Sequence, residues 1–262
     1  MKRALIILQG LFMVLLSFVI VSFIYTIVTS IFKLITGIPD MNPQLDYCIM
    51  VISVMISIVL FYLWYRRYAN KGYVEQTEIK DTIAYKNIGI YLMMGIGCQL
   101  FVSGVLVIIR PLFDTLFSSY DKTINSVFAA DTIIVAVYVI ILAPIVEELM
   151  LRGILFARLR HGASFIVANV IQAVVFGIYH WNIVQGIYAF GIGLLLGFVY
   201  ERTRTLLAPI FVHAFINGFG FLLQWLALGK YIPIQLAVIA GGGLLFGGIY
   251  LFKKVTNYIV EV

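Results

Sequence analysis

Long apolar segments separated by short polar ones make up most of the chain. A helix that crosses a membrane needs about 20 mostly apolar residues. Three charge-free segments in the first half of the chain reach that length, and further apolar segments follow closely in the second half. The pattern predicts an all-α, polytopic membrane helix bundle of about eight transmembrane helices. The predicted spans are Ala4–Phe32, Tyr47–Tyr65, Asn87–Ile109, Thr132–Arg152, Ser164–Trp181, Ile183–Tyr200, Leu206–Ala227 and Tyr231–Phe252.

Polar residues divide these spans into three groups. The first three spans, within residues 1–130, are plainly apolar and predict N-terminal anchor helices. Spans four to seven, within residues 131–227, contain Glu, His, Asn, Gln and many Gly residues. Because polar groups at membrane depth are costly, this region is predicted to carry the chemistry of the protein. Residues 228–262 predict a last span and a cytoplasmic tail.

Composition excludes several classes of protein. Of the 262 residues, 63% are hydrophobic and 11% are charged, whereas roughly a quarter of the residues of a soluble domain carry charge. A cytosolic enzyme and a nucleic-acid partner are therefore excluded, despite a net charge of +6. The two cysteines, Cys48 and Cys98, lie in or beside apolar spans and predict packing residues rather than a disulfide or a metal site.

The basic residues predict the orientation of the spans. Lysine and arginine collect in cytoplasmic loops of membrane proteins. Of the 18 basic residues, four fall on one side of the predicted bilayer and the other 14 on the side of the N-terminus. We therefore expect a multi-pass integral membrane protein with both termini in the cytoplasm. The four exceptions are Lys33, Arg110, Lys122 and Lys230.

The fourth span contains two adjacent carboxylates. Glu148 and Arg152 are four residues apart with the acid first, which is the favourable order for an ion pair on one helix face. Glu147 points about 100° away from that pair and is a candidate general base. Pro144 cannot donate a backbone hydrogen bond, so it predicts a loosened turn beside the carboxylates. The alternative is an ordinary charged helix end on the cytoplasmic side.

The fifth and seventh spans contain histidines at helical spacing from other polar or aromatic residues. Asn169, Phe176 and His180 share one face of the fifth span, with Gln172 close to it, which predicts a polar stripe towards the bundle interior. His180 beside Trp181 is alternatively an anchor at the membrane surface.

His213 and Asn217 are one turn apart on the seventh span. Both side chains can donate hydrogen bonds towards one point, which suits stabilisation of an oxyanion. The alternative is a pair of interhelical hydrogen bonds.

Small residues predict close helix packing rather than chemistry. Ala189, Gly193 and Gly197 form a stripe of small residues on the sixth span, and the glycines at 241–243 and 247–248 in the last span predict either packing or flexibility. Such stripes let helix backbones approach each other closely.

These residues allow two forms of hydrolysis. In one, Glu147 and His180 activate a water molecule while His213 and Asn217 stabilise the oxyanion. In the other, Glu147, His180 and His213 bind a metal ion such as Zn²⁺ and leave one position open for water. The sequence contains neither the HExxH spacing of zinc proteases nor the GxSxG of serine hydrolases.

Taken together, the three motifs resemble those of the CPBP family, the CAAX-protease and bacteriocin-processing (Abi) intramembrane endopeptidases, which include the type II CAAX prenyl endopeptidases. The resemblance covers about Asp131 to Leu222, roughly a third of the chain. It rests on Glu-Glu-x-x-x-Arg (Glu147, Glu148, Arg152), Phe-x-x-x-His (Phe176, His180) and His-x-x-x-Asn (His213, Asn217), in that order.

The resemblance implies a protease with its site inside the bilayer. It makes Glu147 and His180 the residues that activate water, and His213 and Asn217 the oxyanion hole. Glu148 and Arg152 would support the site. The family has been described both as metal-dependent and as glutamic, and we favour the metal-free form because a metal site gives Asn217 no role. The expected partners are the lipid bilayer and a membrane-associated peptide or protein substrate, and the expected location is a bacterial cell membrane.

Two further classes remain as alternatives, a transporter with an intramembrane proton path and a non-catalytic membrane or immunity protein. A shared catalytic site also imposes a condition on depth. A straight fifth span would place His180 well above Glu147 and His213. We therefore expect this span to begin deep in the membrane, after an interfacial segment at about Gly153–Ser164, or to be strongly tilted, and we predict that Glu147, His180 and His213 converge.

Overall fold

The computed structural model describes residues 2–69, 82, 84–130 and 132–260, and the described secondary structure is helical throughout, which confirms the all-α fold. Asp131, where the predicted core begins, lies outside the described residues. In chain order the helices are α1 (Lys2–Thr36), α2 (Pro43–Ala69), α3 (Tyr85–Ile109), α4 (Asp114–Val127), α5 (Thr132–Arg160), α6 (Phe165–Tyr179), α7 (Ile183–Thr203), α8 (Leu207–Trp225) and α9 (Ile234–Val260).

Seven of the described helices, α1, α2, α3, α5, α7, α8 and α9, are long and apolar enough to cross a membrane. The chain is a multi-pass integral membrane protein. The predicted fifth span corresponds to α6, which has 15 residues. At 1.5 Å per residue α6 rises about 22 Å, less than the ~30 Å of a hydrocarbon core. The predicted number of about eight therefore includes one helix shorter than a typical span.

The polar stretch after α3 forms a helix that the sequence pattern did not predict. Arg110, next to the C-terminal end of α3, donates two hydrogen bonds of 2.8 Å to the carboxylate of Asp121 on α4. The Arg110 guanidinium also lies 4.8 Å from the ring centre of Phe117. These hydrogen bonds hold α4 against the end of α3 and lower the pKa of Asp121 below its ordinary value.

Helix α5 continues eight residues beyond its predicted end. The sequence predicts that the span ends at Arg152, but the helix continues to Arg160. The charge of Arg152 does not mark a helix end, because its side chain is fully buried and paired with Glu148. The predicted end of this span at Arg152 was therefore wrong, and the depth at which α6 begins stays a prediction.

The first of two compact units consists of Met1–Glu75 and Lys122–Gln172. In this unit α1 and α2 pack against α5. A β-carbon on Gly10 of α1 would lie 3.3 Å from the side chain of Leu155, so this glycine lets α1 approach α5 closely. The aromatic rings of Tyr47 on α2 and Tyr138 on α5 meet edge to face, 6.0 Å apart. Together these contacts fix the helix that carries the paired carboxylates.

The second unit consists of Gln76–Asp121 and Ala173–Val262. Here α3 packs along α9 and α8. A β-carbon on Gly241 would lie 2.5 Å from the backbone nitrogen of Phe101, and one on Gly193 of α7 would lie 2.9 Å from Cα of Ala173 on α6. Both distances are too short for any side chain, which confirms the packing role predicted for these two glycines. The three functional segments predicted from sequence stay a prediction.

Candidate active site

The paired carboxylates lie in a short α-helical turn within α5. This turn, Ala143–Glu148, is preceded by π-helical winding at Tyr138–Leu142 and followed by π-helical winding at Leu149–Phe156. Pro144 has no backbone N–H and removes one hydrogen bond of the ladder, which accounts for the loosened winding before the carboxylates. Wider π-helical turns are rare and occur often at functional sites.

Glu148 and Arg152 form a buried ion pair. Nη1 of Arg152 lies 2.7 Å from Oε1 of Glu148, and neither side chain is exposed. The ion pair expected from the spacing of four residues is confirmed. Breaking such a buried pair by removing one partner costs about 3–5 kcal/mol, because the other charge is left in an apolar interior. The pair therefore fixes the winding of α5 beside Glu147.

Glu147 is also buried, with 8% of its surface exposed. It is adjacent to Glu148 in the chain and projects from a different side of the helix. Two buried carboxylates thus occupy adjacent positions on α5, and Glu148 is in an ion pair with Arg152.

The ring of Phe176 is in contact with both motif histidines. Its centre lies 4.8 Å from the imidazole of His180 and 5.6 Å from that of His213, and both contacts are edge to face. Phe176 and His213 are 1% and 3% exposed. The second unit therefore brings His180 at the end of α6 and His213 on α8 into contact with the same aromatic side chain.

The contact of His180 with the α6 backbone fixes its tautomer. Nδ1 of His180 lies 2.8 Å from the carbonyl oxygen of Phe176. A carbonyl oxygen can only accept, so Nδ1 carries the proton and Nε2 is the basic nitrogen of the neutral ring. An imidazole held in this way presents one defined nitrogen for proton transfer or for binding a metal ion.

The turn that carries His180 is held by two glycines. A β-carbon on Gly177 of α6 would lie 2.7 Å from the carbonyl oxygen of Gly186 on α7, so the two backbones are in direct contact. Trp181 has a positive φ of 53°. Asn182 caps α7 by accepting a hydrogen bond of 3.1 Å from the backbone N–H of Gln185. These features end α6 immediately before His180 and position the following helix.

The polar stripe predicted on α6 is buried. Asn169, Gln172 and Phe176 are 6%, 0% and 1% exposed, whereas Val174 and Ile178 on the opposite face are 42% and 64% exposed. Nε2 of Gln172 donates a hydrogen bond of 2.7 Å to Oδ1 of Asn169. The amides of this stripe therefore interact with each other, and the apolar face of α6 is turned outward.

Asn217 follows His213 by one turn of α8 and is half-buried. The structure thus describes two groups of motif residues, Glu147, Glu148 and Arg152 in the first unit, and His180, His213 and Asn217 with Phe176 in the second. In either unit, the described residues contain no group of three or more His, Cys, Asp or Glu side chains that could hold a metal ion. Convergence of Glu147 with the histidines stays a prediction.

Sequence reasoning missed the contact between Gly177 and Gly186. It selected the small residues of α7 at Ala189, Gly193 and Gly197, where the spacing of four was visible. Gly186 lies three residues before Ala189 and outside that repeat, and its partner is on another helix. The signal available in the sequence was that Gly177 precedes His180 and Gly186 follows it, so that the two glycines flank the turn.

Comparison with known proteins confirms the resemblance inferred from the three motifs. Residues 129–219 match the protein family described as type II CAAX prenyl endopeptidase, Rce1-like. The matched segment includes every residue of the three motifs, from Glu147 to Asn217.

Two named bacterial proteins are similar to this chain. YdiL of Bacillus subtilis, provisionally named a membrane peptidase, is 32% identical over 111 residues, which are 42% of this chain and 44% of YdiL. The membrane-embedded CAAX protease MroQ of Staphylococcus aureus is 28% identical over 95 residues, 34% of this chain and 38% of MroQ. The chain therefore aligns with less than half the length of either relative. No solved structure gives a significant match.

Proposed function

We propose that the chain is an intramembrane endopeptidase, which hydrolyses a peptide bond of a membrane-embedded or membrane-associated protein or peptide. The observation that carries the proposal is the arrangement of His180 and His213 at one phenylalanine ring, within the segment that matches a peptidase family. The defined tautomer of His180 supports a role in proton transfer.

Glu147 and His180 together activate water in the proposed reaction. The carboxylate of Glu147 accepts a proton from water, and Nε2 of His180 orients that water as a hydrogen-bond acceptor. The hydroxide attacks the carbon of the scissile carbonyl and forms a tetrahedral intermediate. General-base assistance of this kind contributes typically 10²–10⁴-fold to the rate.

His213 and Asn217 stabilise the negative charge that develops on the carbonyl oxygen. The Asn217 amide and the protonated nitrogen of the His213 ring are the donors. Because they are on the same helix one turn apart, they are held in place before the reaction and need little reorganisation. The bond to the leaving nitrogen then breaks, and the proton held by Glu147 passes to that nitrogen. The products are a carboxylic acid and an amine, which then ionise in water.

Glu148 and Arg152 act as positioning residues in this scheme. Their buried pair fixes the winding of α5 one residue away from Glu147. A carboxylate that accepts a proton from water needs its position defined to a fraction of an ångström. The mechanism also requires Glu147 to approach the two histidines, and disulfide trapping of cysteines introduced at positions 147 and 213 tests that requirement directly.

A zinc-dependent form of the same hydrolysis would use Glu147, His180 and His213 as ligands. The His180 geometry suits this form as well, because a metal-bound histidine commonly donates its other nitrogen to a backbone carbonyl. The metal ion would supply a more acidic water molecule. We favour the metal-free form because it gives Asn217 a function. Cleavage that survives exhaustive treatment with a strong chelator supports it, and loss of cleavage that returns with added Zn²⁺ contradicts it.

The central experiment compares the wild type with Glu147→Ala and His213→Ala in liposomes that contain native membrane proteins. New protein N-termini are labelled and identified by mass spectrometry, so the assay works before any substrate has been identified. We expect cleavage products in the wild type and at least a hundredfold fewer in either variant. Glu201→Ala, at a carboxylate outside the motifs, is the matched control and retains cleavage. Equal product formation in wild type and both variants contradicts the catalytic assignment.

A transporter or a non-catalytic immunity protein would give a different result in the same assay. Neither would generate new N-termini in any variant. We also propose that the protein lies in a bacterial cell membrane with both termini in the cytoplasm, which agrees with the distribution of basic residues.

A further inference from the structure

A basic groove lies where the start of α1 crosses the turn between α5 and α6. The cavity has a volume of about 780 Å³, and its polar lining residues are Arg3, Arg160, His161 and Ser164. All of its lining residues belong to the first unit. The proposed peptidase reaction uses none of them.

The groove lies at the ends of two apolar helices. Arg3 begins the apolar segment of α1, and Arg160 ends that of α5. A β-carbon on Gly162 would lie 3.0 Å from the side chain of Ile6, so the glycine allows the turn to contact α1. The position of both arginines at helix ends places the groove at the level of the membrane surface, where lipid headgroups lie.

The polar part of the lining suits an anion. The described residues that line it include two arginines and no carboxylate. Arginine binds phosphate through a planar array of donors. Nη1 of Arg160 donates a hydrogen bond of 2.8 Å to the carbonyl oxygen of Ala163, which holds the guanidinium against the turn. A cation would be repelled at this site by the two guanidinium groups.

The N-terminus of α6 adds to the positive potential. Ser164 precedes this helix of 15 residues, and its hydroxyl accepts a hydrogen bond of 3.4 Å from the backbone N–H of Val167. The positive end of the helix dipole therefore faces the same turn as Arg160. Two arginine side chains and a helix N-terminus converge on one cavity.

The rest of the lining includes apolar side chains. Ile6 and Ile7 of α1 and Val167 of α6 are among the lining residues, and Val167 is 44% exposed. A small inorganic anion would gain nothing from these side chains. A lipid with a negatively charged headgroup would contact both the polar and the apolar part of the lining, with its phosphate at the arginines and its acyl chains along the isoleucines.

We infer that this groove binds an anionic phospholipid, with the headgroup phosphate at Arg3 and Arg160. A lipid bound there would contact both the N-terminal end of α1 and the turn before α6, the helix that immediately precedes His180. It does not depend on the proposed peptidase activity.

Native mass spectrometry of the full chain in detergent tests the inference, with phosphatidylglycerol, phosphatidylcholine, glycerophosphoglycerol and inorganic phosphate as separate probes. We expect selective binding of phosphatidylglycerol. Arg3→Gln and Arg160→Gln should each weaken it about fivefold, the equivalent of about 1 kcal/mol for one basic residue at a membrane surface. The double variant should weaken it about 25-fold if the two effects add.

The controls separate a specific site from general attraction. Arg202→Gln, at an arginine on α7 outside the groove, should leave binding unchanged. Arg3→Gln keeps the contact of Arg160 with Ala163, so its effect is not a consequence of a disrupted turn. Equal binding of phosphatidylcholine and phosphatidylglycerol overturns the inference. Equal binding of glycerophosphoglycerol or phosphate and of the whole lipid also overturns it, because the ligand is then a soluble phosphate.

Discussion

Nη1 of Arg152 donates a hydrogen bond of 2.7 Å to Oε1 of Glu148 in a part of α5 where neither side chain is exposed. A buried ion pair is expensive to form, since both charges leave water, and it is still more expensive to break from one side. In the proposed mechanism, the role of the pair is to position the neighbouring Glu147. The pair therefore leads to one prediction for the free energy of unfolding and another for the cleavage activity.

Arg152→Met and Glu148→Leu, as single changes, should each lower the free energy of unfolding by about 3–5 kcal/mol. The double variant Glu148→Leu/Arg152→Met should recover most of that loss, because no charge is left unpaired. It should remain inactive if the pair positions Glu147. Unfolding in increasing concentrations of SDS measures stability, and cleavage in liposomes measures activity.

The matched control is Arg204→Met. It breaks the ion pair between Glu201 and Arg204, whose side chain is partly exposed. Such pairs contribute about 0–1 kcal/mol. Single variants of the buried pair that are as stable as Arg204→Met would show that Glu148 and Arg152 do not support the fold. A double variant with full activity would show that the pair is not needed to position Glu147.

Gly177→Ala should displace the turn that carries His180. The added β-carbon would lie 2.7 Å from the carbonyl oxygen of Gly186, so the end of α6 must move away from α7. Overpacking of this kind costs about 1–3 kcal/mol, and a displacement near 1 Å at a catalytic group reduces rates about a hundredfold. Both the thermal unfolding temperature and the cleavage rate should fall.

Gly191→Ala on α7 provides the control for this prediction. Among the described residues, no neighbouring atom lies within 4 Å of the place that a β-carbon on Gly191 would take, so the added methyl group meets open space. We expect wild-type stability and cleavage. A Gly177→Ala variant indistinguishable from Gly191→Ala would contradict the proposed role of the close helix contact.

Asn217→Ala should lower kcat by about 10²–10³ and change KM little, which is the pattern for a donor that acts on the oxyanion in the transition state. Gln224→Ala removes an exposed amide from the same helix and should have no effect. An equal fall in kcat for both variants, or a change in KM alone, would exclude an oxyanion role for Asn217. The measurement uses a peptide identified from the N-terminal labelling experiment.

The sequence predicted the apolar helices well because membrane thickness sets their length. It failed where a charge is neutralised inside a helix. Arg152 was interpreted as a cytoplasmic boundary, although its partner lies one turn away within the same span. It also failed for α4, the helix Asp114–Val127. Polar and apolar residues alternate irregularly in this segment, and because the helix does not span the membrane, membrane thickness does not set its length.

The motifs indicated candidate chemical groups for the proposed site but not the packing that holds them. Phe176 was noted for its spacing from His180, and its contact with His213 on α8 emerged only from the packing of separate helices. The backbone contact of Gly177 with Gly186 is likewise a tertiary feature. Residue type and spacing within one helix are visible in a sequence, whereas the partner on another helix is not.

The last prediction concerns whether α6 crosses the membrane. With both termini in the cytoplasm, its 15 residues must separate His161 and Trp181 onto opposite sides, with His161 on the side of Arg3. Single replacements Arg3→Cys, His161→Cys and Trp181→Cys, in a chain with Cys48→Ala and Cys98→Ala, allow labelling of intact cells with a membrane-impermeant maleimide. We expect labelling at position 181 only, because the positive-inside distribution places Arg3 and His161 in the cytoplasm. Labelling of positions 161 and 181 from the same side would make α6 re-entrant and place the termini on opposite sides.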